Sequence, residues 1–238
     1  MKRIMVFALF IALASCTEKE APAGGADNQK PALKEGANLL AEINGQDLNG
    51  FRWMNAPERL QASGSSIQAT VGEGTDFFNS PEDNTIAATA SLLYREAAGD
   101  FVATALVQPD FSSVWNAAAL MAHIDSLNWI KFAFENSDAT GPGIVSVVTR
   151  GVSDDANGPI LEGRASIWLR IIRKGNLYAL HWSENGRDFK MARLSVLPES
   201  DTVKIGMEAQ SPVGKTATHT FLYFSLEERT VEDMRKGE

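Results

Sequence analysis

The stretch Asn128-Trp-Ile-Lys-Phe-Ala-Phe-Glu135 (NWIKFAFE) decides the fold class. Ile130, Phe132 and Phe134 share one parity, while Trp129, Lys131, Ala133 and Glu135 share the other. Side chains alternate across a strand, so the segment reads as a strand with one apolar face and one mixed face. Working outward, the same alternation places strands at 67–71, 101–107, 117–124, 144–150, 166–173, 176–183, 202–209 and 217–226. Lys174-Gly175-Asn176 reads as a tight hairpin turn and Glu184-Asn185-Gly186 as a second turn. The Ala-rich segment 86–98 (IAATASLLYREAA) has the propensity of a helix. Many strands without long amphipathic helices predict an all-β fold, a sandwich of two antiparallel sheets. A jelly roll is the expected arrangement and an immunoglobulin-like sandwich the competing one.

Parity also sorts the side chains. Ile130, Phe132, Phe134, Ile167, Leu169, Ile171, Tyr178, Leu180, Trp182, Leu120, Ala122 and Ile124 are assigned inward. That leaves Trp129, Lys131, Glu135, Trp168, Arg170, Met121, His123, His181 and Ser183 outside. Were these strands adjacent, Trp129, Lys131, Glu135, Trp168, Arg170, His123 and His181 would share one concave surface. Aromatic faces with fixed polar groups suit a sugar, which carries apolar C–H patches and hydroxyl rims. The alternative is that a loop or the N-terminal strand covers both tryptophans and that Lys131 and Glu135 form a cross-strand ion pair.

The N-terminus reads as an export signal, with Lys2 and Arg3 followed by the apolar run Ile4 to Ala12. The run is too short to span a bilayer core of about 30 Å. It ends in Leu13-Ala14-Ser15-Cys16, which resembles a lipobox and implies cleavage before Cys16 and acylation of its thiol. Cys16 is the sole cysteine, so the chain has no intramolecular disulfide. The expected organisation is a signal peptide at 1–15, a lipidated tether at 16–38, a β-sandwich at 39–226 and a charged tail at 227–238. The tail reads as a short exposed helix or a frayed end. Thr17 rather than Asp after the cysteine favours an outer-membrane address. Loss of Lys2 and Arg3 takes the formal charge from −8 to about −10, which disfavours a nucleic-acid partner.

In chain order the sequence carries Phe51-x-Trp53-x-Asn55-x-Pro57, Thr75-Asp76-Phe77-Phe78, Asp100-Phe101 and Leu120-Met121. Asn128-Trp129-Ile130-Lys131 with Glu135, Ser146-Val147-Val148-Thr149 and Trp168-Leu169-Arg170 follow. Ser183-x-Asn185-Gly186 with Arg193, and Val203-x-Ile205-Gly206 with Ser211-Pro212, complete the set. The whole, over roughly residues 50–226, resembles the uncharacterised bacterial domain family labelled "regulation of enolase protein-like" in the concanavalin A-like lectin/glucanase superfamily. The resemblance implies a jelly roll of two curved sheets and no established reaction. Where the family pattern has an Asp-Gln-Ala-Gly-type run, this chain reads Asn116-Ala117-Ala118-Ala119. His123 replaces a usual Arg, and a Trp expected soon after Ser153-Asp154 is missing.

For catalysis, Glu135 is the only acid the parity assignment places on the outer face, so a second carboxyl would have to come from a loop, such as Asp154 or Asp155. No Gly-x-Ser-x-Gly occurs. Ser153-x-Asp155-x-Asn157-Gly158 resembles half of a calcium loop without its acidic first position or terminal Glu, so no cofactor is expected beyond a weak calcium possibility. Three function classes stand: a non-catalytic glycan-binding lipoprotein of the cell envelope, a structural or protein-partner lipoprotein, and a divergent glycosidase.

Overall fold

A computed structural model of the chain describes residues 36–45 and 47–238. The export signal, Cys16 and most of the tether therefore lie outside the described residues. Among the described residues, no helix is long and apolar enough to cross a membrane.

Two seven-stranded antiparallel sheets face each other. The first runs β1 (Arg52–Met54), β6 (Ser91–Ala98), β15 (Thr202–Gln210), β8 (Ala117–Asp125), β9 (Asn128–Ser137), β10 (Gly141–Arg150) and β11 (Val152–Ile160). The second runs β14 (Lys190–Val196), β13 (Leu177–Ser183), β12 (Ile167–Lys174), β7 (Phe101–Gln108), β16 (Ala217–Glu227), β3 (Ser66–Val71) and β2 (Arg59–Ser63). A separate two-stranded hairpin, β4 (Phe77–Asn79) and β5 (Ile86–Ala88), belongs to neither. The all-β antiparallel sandwich is as the alternation predicts.

The core between the sheets collects the expected parity: Leu120, Ala122, Ile130, Phe132, Phe134, Ile167, Leu169, Ile171, Tyr178, Leu180 and Trp182, with Ile124 packed against it. Period-2 patterning thus places the inner face of each sheet where the structure has it.

Segment 86–98 corrects the helical expectation. It forms β5 and β6, and β6 sits between β1 and β15. Leu93 and Ala97 face the main core, while Leu92 and Tyr94 join a second cluster on the outer side. Burial on both faces outweighs the modest helix preference of alanine. Gly206 permits the close approach here: a Cβ would lie 1.9 Å from the Leu93 carbonyl oxygen and 2.6 Å from Tyr94 Cα.

The segment holding Ser153, Asp155 and Asn157 is β11, an edge strand rather than a loop. Its Asp, Asn, Gly and Pro content masks it as a turn, yet such residues are tolerated at sheet edges. An extended strand cannot wrap its oxygens around calcium as a loop does. Among the described residues, no group of three or more His, Cys, Asp or Glu is arranged to hold a metal ion.

The C-terminal tail is neither helical nor frayed. Val231 and Met234 are buried against Val102, Ile172 and Ala179 on the outer face of the second sheet. Lys174 Nζ donates to the Val231 carbonyl at 3.1 Å, tying the strap to β12.

Candidate functional site

The seven residues expected on one surface lie on two. Trp129, Lys131 and Glu135 on β9, with His123 on β8, face outward from the first sheet. Trp168 and Arg170 on β12, with His181 on β13, belong to the second. The outer faces of the two sheets point away from each other, so a single concave site built from all seven does not exist.

On the second sheet Trp168 and His181 are buried and Arg170 is half-buried. Trp168 is 1% exposed, packed with Leu106 and Tyr223, and Gly186 sits directly on its ring. The Arg170 guanidinium lies 3.7 Å over the Phe189 ring, and its Nε donates to Thr104 Oγ1 at 3.1 Å. His181 Nε2 bonds the Met234 carbonyl at 3.0 Å beneath the C-terminal strap. Burial lowers the His181 pKa, partly offset by that bond.

The first sheet holds the richer chemistry. Register places Glu208 of β15 beside Ala119, and Ala119 beside Ala133. One step along, Gln210 stands beside Ala117, which stands beside Glu135. One step the other way, Gly206 and Met121 lead to Lys131. Three alanines thus form a low floor bordered by Glu208, Gln210, Glu135 and Lys131.

Above it lies the β4–β5 hairpin. Phe77 packs edge-on to Trp129 at 6.1 Å and to His123 at 6.0 Å. Trp129 is 1% exposed, so it is covered rather than offered to a ligand. Lys131 Nζ donates to Asp76 Oδ1 at 3.1 Å, Phe77 O at 2.9 Å and Gln210 Oε1 at 2.6 Å. These three bonds use all the donors an ammonium has. Its ion-pair partner is therefore Asp76, not the expected Glu135.

The carboxyls are poorly served by comparison. Glu208 is fully buried, and neither oxygen has a hydrogen-bond partner among the described residues. Burial pushes its pKa up to about 8 against the pull of Lys131, with Asp76 and Glu135 adding to the rise. Glu135 is pushed up to about 7, first by burial, again against Lys131. Burial opposes the Lys131 charge, but Asp76, Glu208 and Glu135 together hold its pKa above the ordinary value. On the same sheet His123 falls to about 4, through burial and then the nearby Lys204.

At the Gln210 end of this face stands Trp115, in the loop before β8. Its φ is +61°, a left-handed conformation that is a true outlier for a bulky side chain. Its N–H donates to Asn136 O at 2.8 Å, and its carbonyl accepts from Gln210 Nε2 at 2.9 Å. Trp115 is nevertheless 38% exposed, with Val114 and Val213 also exposed on packed neighbouring loops. Gln210 therefore joins Trp115 to Lys131 through one amide.

Glu208, Gln210 and Trp115 carry no role in the sequence reading, and Asp76 enters it only within the Thr75-Asp76-Phe77-Phe78 motif, without a place on this face. Glu208 was findable, because it shares parity with Gly206 in a strand the alternation identifies. Its presence corrects the expectation of one acid on this face. Asp155 also lies on β11 opposite Val147, while Asp154 pairs with Arg193 at 2.6 Å. Asp76 and Trp115 sit in loops without periodic signal.

Residues 53–229 match the family model described as "Protein of unknown function (DUF1349)". The chain belongs to that family. It is 25% identical over 187 residues to "Regulation of enolase protein 1" of Saccharomyces cerevisiae, covering 79% of this chain and 94% of that protein. A crystal structure of a functionally unknown protein from Saccharomyces cerevisiae superposes with a TM-score of 0.72 at 26% identity, covering 76% of this chain and 98% of that one. The GH43 BlXynB protein of Bacillus licheniformis gives a TM-score of 0.64 at 14% identity, covering 81% of this chain and 39% of that one. The exoplasmic/lumenal domain of VIP36, in its Ca2+/Man3GlcNAc-bound form, gives 0.53 at 8% identity, covering 84% and 92%. The last two likenesses concern the fold alone.

Proposed function

We propose that this chain is a non-catalytic carbohydrate-binding domain, held at a bacterial cell envelope by lipid on Cys16, that engages its ligand at Trp115. The observation that carries the reading is the Trp115 backbone. A left-handed conformation costs a bulky residue about 1–3 kcal/mol, and a half-exposed indole recovers little of it by burial. The Asn136 and Gln210 bonds hold this backbone, burial gives the ring no comparable return, and an exposed indole is a stacking surface for a sugar ring. The exposed Val114 and Val213 supply apolar company for such a site, while the buried Gln210 amide, bonded to Lys131 and to the Trp115 carbonyl, fixes the Trp115 backbone. The lectin-like and glycosidase-associated sandwiches among the fold relatives lend analogy only.

The test is an oligosaccharide array of xylan-, glucan-, mannan- and galactan-derived chains probed with the purified full chain. Trp115→Ala should abolish the hits while leaving the melting temperature unchanged. No hit with the wild type, or hits unaffected by Trp115→Ala, overturns the reading. The anchor is tested separately by Cys16→Ser, which should move the protein from the detergent phase to the aqueous phase.

One observation favours a second reading, a protein partner. Among the described residues β14 is an unpaired edge of the second sheet, on which Leu194 and Val196 are 37% and 40% exposed. Added-strand recognition uses such edges. Loss of a co-purifying envelope protein on Leu194→Lys, with an empty glycan array, would select this reading instead.

A further inference from the structure

Beneath the β4–β5 hairpin, acids outnumber bases. Asp76 reaches in from the lid, Glu135 and Lys131 from β9, and Glu208 from β15. Asp155 on β11 and Asp138 beyond β9 add negative potential at Glu135. His123 of β8, Tyr94 of β6 and Lys204 of β15 stand on neighbouring positions of the same face, with Lys204 Nζ 6.0 Å from the Tyr94 ring. One ammonium thus serves three inner carboxyls, and its three donors are spent on Asp76, Phe77 and Gln210. Glu208 is left with no protein partner among the described residues. With Asp76 and Lys131 paired, ionising both glutamates would leave two uncompensated negative charges out of water.

The hairpin is the element able to respond. It hydrogen-bonds as a ladder only within itself, and an isolated two-stranded hairpin is marginal in water. Side chains and loop backbone fasten it. Lys131 holds its start, and Asn79 Nδ2 donates to the Ser126 and Gly151 carbonyls at 3.1 and 2.9 Å. The Asn79 N–H reaches Ser153 Oγ at 2.8 Å, and Asn55 Nδ2 reaches the Ala88 carbonyl at 2.8 Å. The bonds at Asn79 hold the tip of the lid, while at its root, where Phe77 pairs with Ala88, Lys131 shares the hold with Asn55, the Thr75–Ser211 bridge and the Asp76 carbonyl that accepts from Thr89 and Ala90. Local opening draws on segments with few ladder bonds, which this hairpin is.

We propose that the β4–β5 hairpin is a lid over an acid-lined extension of the ligand site: Lys131 latches it, and loss of protons from Glu135 and Glu208 releases it. Opening uncovers Trp129 and the alanine floor, an aromatic and apolar surface edged by carboxylate acceptors for ligand hydroxyls. The proposal rests on the Trp115 reading for its use, but the lid itself can be tested without ligand.

Hydrogen exchange read by mass spectrometry on the full chain at pH 6 and pH 8.5, corrected for the chemical rate, is the experiment. Residues 75–88 should exchange about tenfold faster at the higher pH, while peptides covering Phe132 stay protected. Glu208→Gln should suppress the pH effect, and Lys131→Met should give fast exchange at both pH values. Wild-type lid protection that is equal at both pH values overturns the proposal, as does an unchanged pH response in Glu208→Gln. Should Lys131→Met fail to fold, the Glu208→Gln comparison decides alone. A failed lid leaves the Trp115 site standing, and an empty glycan array leaves the exchange result standing.

Discussion

Lys131 and Glu208 border the same alanine floor from strands separated by β8, yet they do not meet. Lys131 gives its three donors to Asp76, Phe77 and Gln210, and Glu208 keeps a buried carboxyl without a partner among the described residues. A buried base spent on a lid beside an unserved buried acid makes the first sheet sensitive to pH and to small substitutions.

Stability should therefore vary with pH in a definite way. Glu135 and Glu208 are raised from 4.5 to about 7 and about 8, so their contribution is full below 4.5 and is lost as pH rises through 7 and 8. His123 and His219 are lowered from 6.5 to about 4, so theirs is full above 6.5 and is lost as pH falls through 4. Between 4.5 and 6.5 the two slopes oppose each other. Urea midpoints should show a plateau across that window and decline on both sides. Glu208→Gln should shrink the alkaline decline, and an alkaline limb unchanged in that variant would remove Glu208 as its source.

The two tryptophans of this face should behave oppositely. Trp129→Ala should cost about 3–5 kcal/mol, similar to Phe132→Ala, because both rings are fully packed. Trp115→Ala should be within about 1 kcal/mol of wild type, or slightly stabilising, since alanine bears the left-handed backbone with less crowding. Equilibrium unfolding of the three variants separates the positions, and a Trp129→Ala protein as stable as wild type would return that ring to the list of exposed platforms.

Gly206→Ala should be among the most damaging single-methyl changes in the chain. The new carbon would overlap the Leu93 carbonyl, which is backbone and cannot rotate away. Parting β15 from β6 would also disturb Glu208, two residues along β15. The expected outcome is insoluble expression or a loss of at least about 3 kcal/mol, measured by denaturant titration.

Deleting residues 229–238 should destabilise the domain without touching the first sheet. Val231 and Met234 each bury an apolar side chain on the second sheet, at about 1.5–3 kcal/mol apiece. A loss of roughly 3–5 kcal/mol is expected, together with a His181 that titrates closer to the ordinary range once its cover is gone. An imidazole resonance followed by NMR would report the second effect.

Alternation alone determined the all-β class, nine of the strands and the inward side of each central one, because a sheet side chain must point to one face or the other. Its failures have physical causes. The alanines of 86–98 hold a helical preference too small to resist burial between β1 and β15. β11 is an edge strand whose polar residues face water, so it carries no apolar period. Strand order is the larger omission. Parity cannot say that β9 and β12 lie in different sheets, and that fact separated Trp129 from Trp168. Nor can it say that the Asp76 loop folds over β9, since Asp76 and Lys131, 55 positions apart, are brought together by tertiary contacts: the packing of Phe77 on Trp129 and His123 and the Lys131 bonds to Asp76 and Phe77. The local pattern thus dictated which way each side chain faces. Only long-range packing decided what covers it, because contacts between loops and distant strands leave no periodic mark in the chain.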